Sequence, residues 1–499
     1  MGGRRWLVFL AFLLVVFAQG RTLRIGLAED PDILDPDLGR TFVGRIVFAS
    51  LCDKLFDITP DLKIVPQLAT GYSWSDDGKT LTLSLRKGVK FHDGTAFDAE
   101  AVKFNLERSL TLPGSNRKSE VKPIESVEVV DPFTVRIHLK APFSPLLAQL
   151  ADRAGMMVSP KAARELGENF GRSPVCSGPY KFVERVAQDR IVLEKFQDYW
   201  NKDAFAFDRV VFLPIPDPSV RLANLQAGDL DLIERVAPTD LGAVRKDARL
   251  KVASAVGLGY QGITINESNP KPLDTPLAKD VRVREAFELS LDREAINQVV
   301  FNGEFVPGNQ AVPPTSPWYI KELPMPKRDV ARARALLKAA GYDRVSFTLM
   351  VTNNPQAIQL GQVIQSMAKE AGFDIKLNAV EFATALDLQE AGKYDAFQIG
   401  WSGRIDPDGN IYIFHACGAA LNETGYCDPK VDEYLNKARS TGEFAERYRY
   451  YKLAAERYLP DRHIIYLYHP KWFWAFTNRL SGFTPYPDGL IRLRGVTMK

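Results

Sequence analysis

Apolar and polar positions alternate strictly at Leu81, Leu83 and Leu85, with Thr82, Ser84 and Arg86 between them. Period two predicts a strand with one buried face. Asp77-Gly78, just ahead, supplies the positive φ of a hairpin turn. His92-Asp93-Gly94 makes a second turn. Asp98 then caps a helix whose inner stripe is Ala101, Val102, Asn105 and Leu106. Residues 221–233, RLANLQAGDLDLI, predict a helix stopped by Gly228 and a strand in which Leu230 and Leu232 alternate with aspartates. Two amphipathic helices follow. One spans 327–340, with Val330, Ala333, Leu337 and Ala340 on one face and Gly341 as its stop. The other spans 355–371, with Ala357, Leu360, Ile364, Met367 and Ala371 on one face, Asn354 as N-cap and Pro355 in the first turn. Residues 22–28 predict an edge-like strand, and the aromatic run 466–476 a return of the chain to its first lobe. Strand and helix signals alternate throughout, which predicts an α/β fold.

The chain has 499 residues, more than one hydrophobic core serves, so two or three lobes are expected. The first twenty residues are set apart from that fold. Arg4 and Arg5 precede an apolar run at 6–17, and Ala18-Gln19-Gly20 gives a cleavage site near Gly20, so a signal peptide and a periplasmic location are expected. The run is short for a membrane span, and no cysteine stands near the site to take a lipid. Net charge is +3, or +1 without Arg4 and Arg5, which gives no footprint for nucleic acid. Four cysteines would meet an oxidising compartment after export. Cys417 and Cys427 enclose a short loop of turn residues and are read as a disulfide over free thiols. Cys52 and Cys176 are, by elimination, the second candidate pair. Without a CxxC or a His/Cys cluster, no metal site is expected.

Residues 68–108, LATGYSWSDDGKTLTLSLRKGVKFHDGTAFDAEAVKFNLER, resemble nearly position for position the signature of the family 5 extracellular solute-binding proteins, the peptide- and nickel-binding receptors of ABC importers. Leu34-Asp35-Pro36, SPVCSGPY at 173–180, the segment 221–233 and VRVREAFELSLDREAI at 281–296 extend the resemblance over nearly the whole chain after residue 20. It implies a two-lobe periplasmic-binding-protein fold of class II, in the large variant with an extra subdomain. The first lobe is expected at 21–54, 176–262 and 475–499, the extra subdomain at 55–175 and the second lobe at 263–474. It also implies a non-enzymatic receptor without cofactor, a monomer that closes on a small solute and meets a membrane permease with its ATPase.

GLGYQG at 257–262 has the spacing of a dinucleotide loop, but ITIN follows it where that loop needs a helix, so a glycine-rich hinge beside a cleft is the better reading. The cleft candidate is GWSGRIDPDGN at 400–410, a loop fed by an apolar strand. Trp401 offers an apolar face and Arg404 a planar fork for a carboxylate or phosphate. Asp406 offers an acceptor for an ammonium, or a partner for Arg404, and Asp408 reads as part of a turn. Tyr260, by the hinge, and Asn353 complete the expected contacts. In the peptide binders that the chain resembles, an Asp soon after Gly-Trp takes the peptide's α-ammonium, and Arg404 holds that place here. Arg has no acceptor to offer an ammonium. Residues 351–355 also lack the Arg and Tyr with which a dipeptide binder holds its ligand's far end. An N-blocked or γ-linked peptide therefore fits better than a free-amine dipeptide; an oligosaccharide, an opine-like anionic conjugate and a metal chelate stay open as ligands. Of the five histidines, His92 reads as structural, His138 as lying on a strand's polar face, and His463 and His469 as solvated ends of a strand. His415 reads as a packed residue or a ligand contact. A secreted hydrolase would need a nucleophile and base, such as Ser402 with His415.

Overall fold

The computed structural model describes residues 21–499; the expected signal peptide lies outside the described residues. Two sheets organise the molecule. The first has seven strands in the spatial order Leu250–Val256, Lys471–Thr477, Leu232–Ile233, Thr22–Leu27, Arg209–Pro214, Arg190–Lys195, Tyr180–Val186. Thr22–Leu27, expected at an edge, is its centre and runs parallel to both neighbours. Its polar residue, Arg24, reads like an edge signal, yet Arg24 closes on Asp231 of the adjoining segment at 3.0 Å. Leu23, Ile25 and Leu27 are fully buried in the first core.

The second sheet has six strands in the order Val306–Pro307, Ile464–His469, Tyr260–Ile265, Ala396–Trp401, Val345–Thr352, Phe373–Val380. The chain passes between the sheets twice, through residues 257–259 and through Pro470. Tyr260–Ile265 thus belongs to the second sheet and Lys471–Thr477 to the first, each crossing a few residues ahead of the boundaries expected at 262/263 and 474/475. The first crossing needs its glycines. A Cβ on Gly259 would stand 1.7 Å from the Trp401 carbonyl oxygen, and Gly403, at φ +87°, abuts Leu258.

A four-stranded antiparallel sheet, in the order Ala69–Trp74, Thr80–Leu85, Thr134–Leu139, Ile124–Asp131, builds the extra subdomain around its own core. The predicted hairpin and capped helix are both here. Gly78 has φ +66°, Leu81, Leu83 and Leu85 are buried, and Asp98 accepts from the Ala101 amide ahead of helix Ala99–Thr111. Asn105, in the helix's apolar stripe, bonds both the N–H and the C=O of Val158, so this buried amide is satisfied. In the second lobe, Asn354 caps helix Pro355–Glu370 as expected, and Asp329 caps helix Val330–Ala339. The cysteines pair as Cys52–Cys176 and Cys417–Cys427. Among the described residues no helix is long and apolar enough to cross a membrane.

Candidate functional site

The lobes enclose two adjoining chambers of about 200 and about 170 Å³, which share Phe42, Phe382, Ile399, Gly400, Trp401 and Ser402. The strand Ala396–Trp401 runs to the boundary between them, and Trp401 faces both. Its indole N–H donates to the Gly409 carbonyl and the Asn410 side chain, which fixes the ring. Tyr260, opposite Trp401 in the strand register, lines the second chamber. There it packs edge-on against Tyr466 and Phe414.

The other expected residues lie elsewhere. Arg404 lines neither chamber. It lies buried in the seam between the lobes, stacked over Trp401 at 4.2 Å, with its Nε 2.6 Å from Asp152 of the first lobe's extra subdomain. Asp152 also receives Nε and Nη2 of Arg45, from helix Phe42–Leu51, and Arg45 donates through Nη1 to Ser402 across the cleft. One carboxylate thus holds a guanidinium from each lobe. Burial raises the Asp152 carboxyl, but Arg404 and then Arg45 pull it further the other way, leaving it well below the usual carboxylate range. Asp406 is paired with Arg447 through both oxygens, at 2.7 and 2.9 Å. Asp408 is buried in the first turn of helix Asp408–His415 and pairs with Arg439. The Asn353 side chain is exposed outside both chambers, whereas its neighbour Asn354 lines the first.

The histidines are mostly interior. His463 and His469, expected as solvated ends, are both buried, because the aromatic strand between them is covered on both faces. His415 shares hydrogen bonds with His463 and the Tyr466 hydroxyl and stacks on Tyr458 at 3.9 Å. Ser402 and His415 therefore do not meet. His92 links Gly178 and Cys176, and His138 pairs with Glu128 on the subdomain's outer face.

The second chamber contains charges that the sequence reading passed over. Arg117 and Arg153 line it from the first lobe, and Glu390 and Glu423 from the second. Arg117 is matched by Glu120. Arg153 is 2 % exposed and, among the described residues, has no ion pair. Its Nη1 donates to the Gly39 carbonyl, and its Nε has no hydrogen-bond partner among the described residues. Burial, then Arg117 and Arg404, push its pKa well down. A guanidinium stays charged regardless. Across the chamber, burial and then Glu390 raise the Glu423 carboxyl. One signal for Arg153 was present in the sequence: Asp152-Arg153 puts two charges into a largely apolar stretch, LLAQLADRAGMMV. Arg117 lies in a polar loop that carries no such mark.

Two α/β lobes, joined by two crossings around a cleft lined by aromatic and charged side chains, have the architecture of the periplasmic-binding-protein fold. Comparison with known proteins makes this specific. The profile of the bacterial extracellular solute-binding proteins, family 5 Middle, matches residues 63–422, and the chain belongs to that family. It is 30 % identical over 504 residues to the glutathione-binding protein GsiB of Pectobacterium atrosepticum, covering 98 % of this chain and 97 % of the relative. Among solved structures it superposes on the dipeptide-binding protein of Pseudoalteromonas sp. SM9913 in complex with Met-Leu. The TM-score is 0.89 and the identity 25 %, over 96 % of this chain and all of the other. It superposes on the PBP AgaA of A. tumefacien R10 in complex with agropinic acid with TM-score 0.87 and 27 % identity, over 96 % of this chain and 99 % of the other.

Proposed function

We propose that this chain is the periplasmic receptor of an ABC importer, a monomer that captures a peptide or peptide-like solute bearing a free carboxylate. The observation that carries the reading is Arg153, a buried cation on the chamber wall without a carboxylate of its own. A ligand carboxylate there would supply the missing anion and gain a charge-assisted hydrogen bond in a dry site. Trp401 and Tyr260 serve as apolar walls, and Asn354 rather than Asn353 is the amide within reach. Arg404 acts on binding through the seam: its bond to Asp152 spans the two lobes and stabilises the closed form. Closure then presents the loaded receptor to the permease, while the partner ATPase supplies the energy. The family and the solutes named for its relatives, glutathione and Met-Leu, support a peptide-like ligand.

Calorimetry on the mature chain, refolded to strip any carried solute, tests the proposal with glutathione and Met-Leu as probes. Saturable binding of at least one, weakened on changing Arg153 to Met, is expected. Absence of binding to both, or equal affinity in the variant, defeats it.

A further inference from the structure

Ser402 stands where the two chambers meet and where the two lobes touch. It follows strand Ala396–Trp401 of the second sheet and lines both chambers. Its hydroxyl oxygen accepts from Arg45 Nη1 at 3.1 Å, and Arg45 lies on helix Phe42–Leu51 of the first lobe. Nε and Nη2 of Arg45 are both on Asp152, at 3.1 and 2.8 Å, so the guanidinium is held in place from its other edge. Arg45 is 4 % exposed, whereas Ser402 is half-buried and reachable from the chambers.

This bond decides how the serine can act. A guanidinium is a donor only, so Ser402 Oγ is the acceptor toward Arg45. The hydroxyl proton is then left for another acceptor, and no hydrogen bond from it is present among the described residues. A bond received from a cation draws density from the oxygen. The O–H becomes the stronger donor, and the remaining lone pair the weaker acceptor. We infer that Ser402 is a specificity-determining contact, whose hydroxyl donates to a neutral carbonyl oxygen of the ligand at the boundary between the chambers. This rests on the receptor reading above. There a ligand carboxylate goes to Arg153 in the second chamber, so the oxygen met at the boundary belongs to an amide that links the parts of the ligand on either side. Arg45 and Ser402 come from opposite lobes, so the hydroxyl is oriented when the cleft is closed and released when it opens. The carbonyl is therefore read at the closing step, and selection is coupled to closure.

The test is calorimetric, on the mature chain. Met-Leu has a single amide, and it is compared with its thioamide, in which sulfur, a poor acceptor, replaces the amide oxygen. On the natural chain the thioamide is expected to bind about fivefold more weakly. Ser402→Ala should weaken both probes, because an interlobe bond is lost, and bring the thioamide penalty within about twofold. Ser402→Thr keeps a hydroxyl and should restore the fivefold penalty. Arg45→Met keeps the serine without its orientation and should shrink the penalty as Ser402→Ala does. A serine with only a structural role would lower both affinities and leave their ratio alone, so the ratio carries the answer. Equal affinity of the two probes for the natural chain overturns the inference without any variant. So does an unchanged ratio in folded Ser402→Ala, and either result leaves the receptor standing. A full penalty in folded Arg45→Met removes the orienting bond from the account. If Met-Leu does not bind, the two single thioamides of glutathione are compared in the same way. If glutathione does not bind either, the receptor reading falls and this inference with it.

Discussion

Asp152 and Arg153 are consecutive residues, both buried, and they belong to two differently built regions. In the seam, Asp152 lies between Arg45 and Arg404 and pairs with both, one from each lobe, while Arg404 Nη2 is buried without a hydrogen-bond partner among the described residues. In the chamber, Arg153 bonds a backbone carbonyl and, among the described residues, forms no ion pair; Asp152 attracts it less than Arg117 and Arg404 repel it. A buried charge with its partners in place holds two surfaces together; a buried charge without one is held in readiness at a cost in stability. On the proposed reading, the same chemistry one residue apart serves as a latch in one region and as a ligand anchor in the other.

The strongest way to break this contrast is Asp152→Asn. It leaves the guanidinium groups of Arg45 and Arg404 buried without their shared carboxylate, and a loss of about 3–5 kcal/mol in denaturant-unfolding stability is expected. The pH dependence has a definite sign. A carboxyl whose folded pKa lies below its unfolded value stabilises the fold above the unfolded value, and loses that contribution as pH falls through the folded one. Asp152 lies well below 3.8, so lobe closure followed by small-angle scattering should persist from neutral pH to about 4. Opening already at pH 5 would show that another group holds the seam.

Arg153→Met should separate the two regions most cleanly. Affinity for a carboxylate-bearing ligand is expected to fall about 100-fold, equivalent to about 2.7 kcal/mol, while the unfolding midpoint holds or rises because an unpaired buried cation is gone. A lower midpoint with intact affinity would place Arg153 among structural residues. Arg404→Met should weaken every ligand by a common factor of about ten, since it shifts the closed fraction and touches no ligand atom. A penalty that varies with ligand chemistry would return Arg404 to the binding site. The smallest effect is expected from Asp406→Asn: affinity within about twofold, with about 1–3 kcal/mol lost from the Arg447 pairing. A collapse in affinity would restore Asp406 as an ammonium ligand.

The architecture was legible because its signals are local. The hairpin at Asp77-Gly78, the helix capped by Asp98 and the helix capped by Asn354 each depend on residues a few positions apart. The chamber walls were not, because their side chains come from segments far apart in the chain: Glu29, Arg117, Arg153, Arg235 and Gln398 become neighbours of a cleft only after both lobes form. Arg404 shows the limit most clearly. Its position in a Gly- and Asp-rich loop marked it as accessible, and only the folded subdomain supplies the carboxylate that turns it inward. The central strand Thr22–Leu27 shows a related limit, since the partner of Arg24 is Asp231, more than two hundred residues away.

Cys52 and Cys176 are separated by 124 positions, and nearly everything between them is the extra subdomain. Its excursion from the first lobe leaves and re-enters at one covalent point, where Lys54 bridges Met156 and Val158 bridges Cys176. Closing so long a loop in the unfolded chain removes entropy worth roughly 4–5 kcal/mol in the chain-entropy treatment. The larger effect is on how the module comes apart. With its own core and a sealed neck, the subdomain can lose its packing and regain it as a unit while its ends stay moored to the first lobe. The wall that carries Arg117 and Arg153 is thereby tethered beside the chamber it lines.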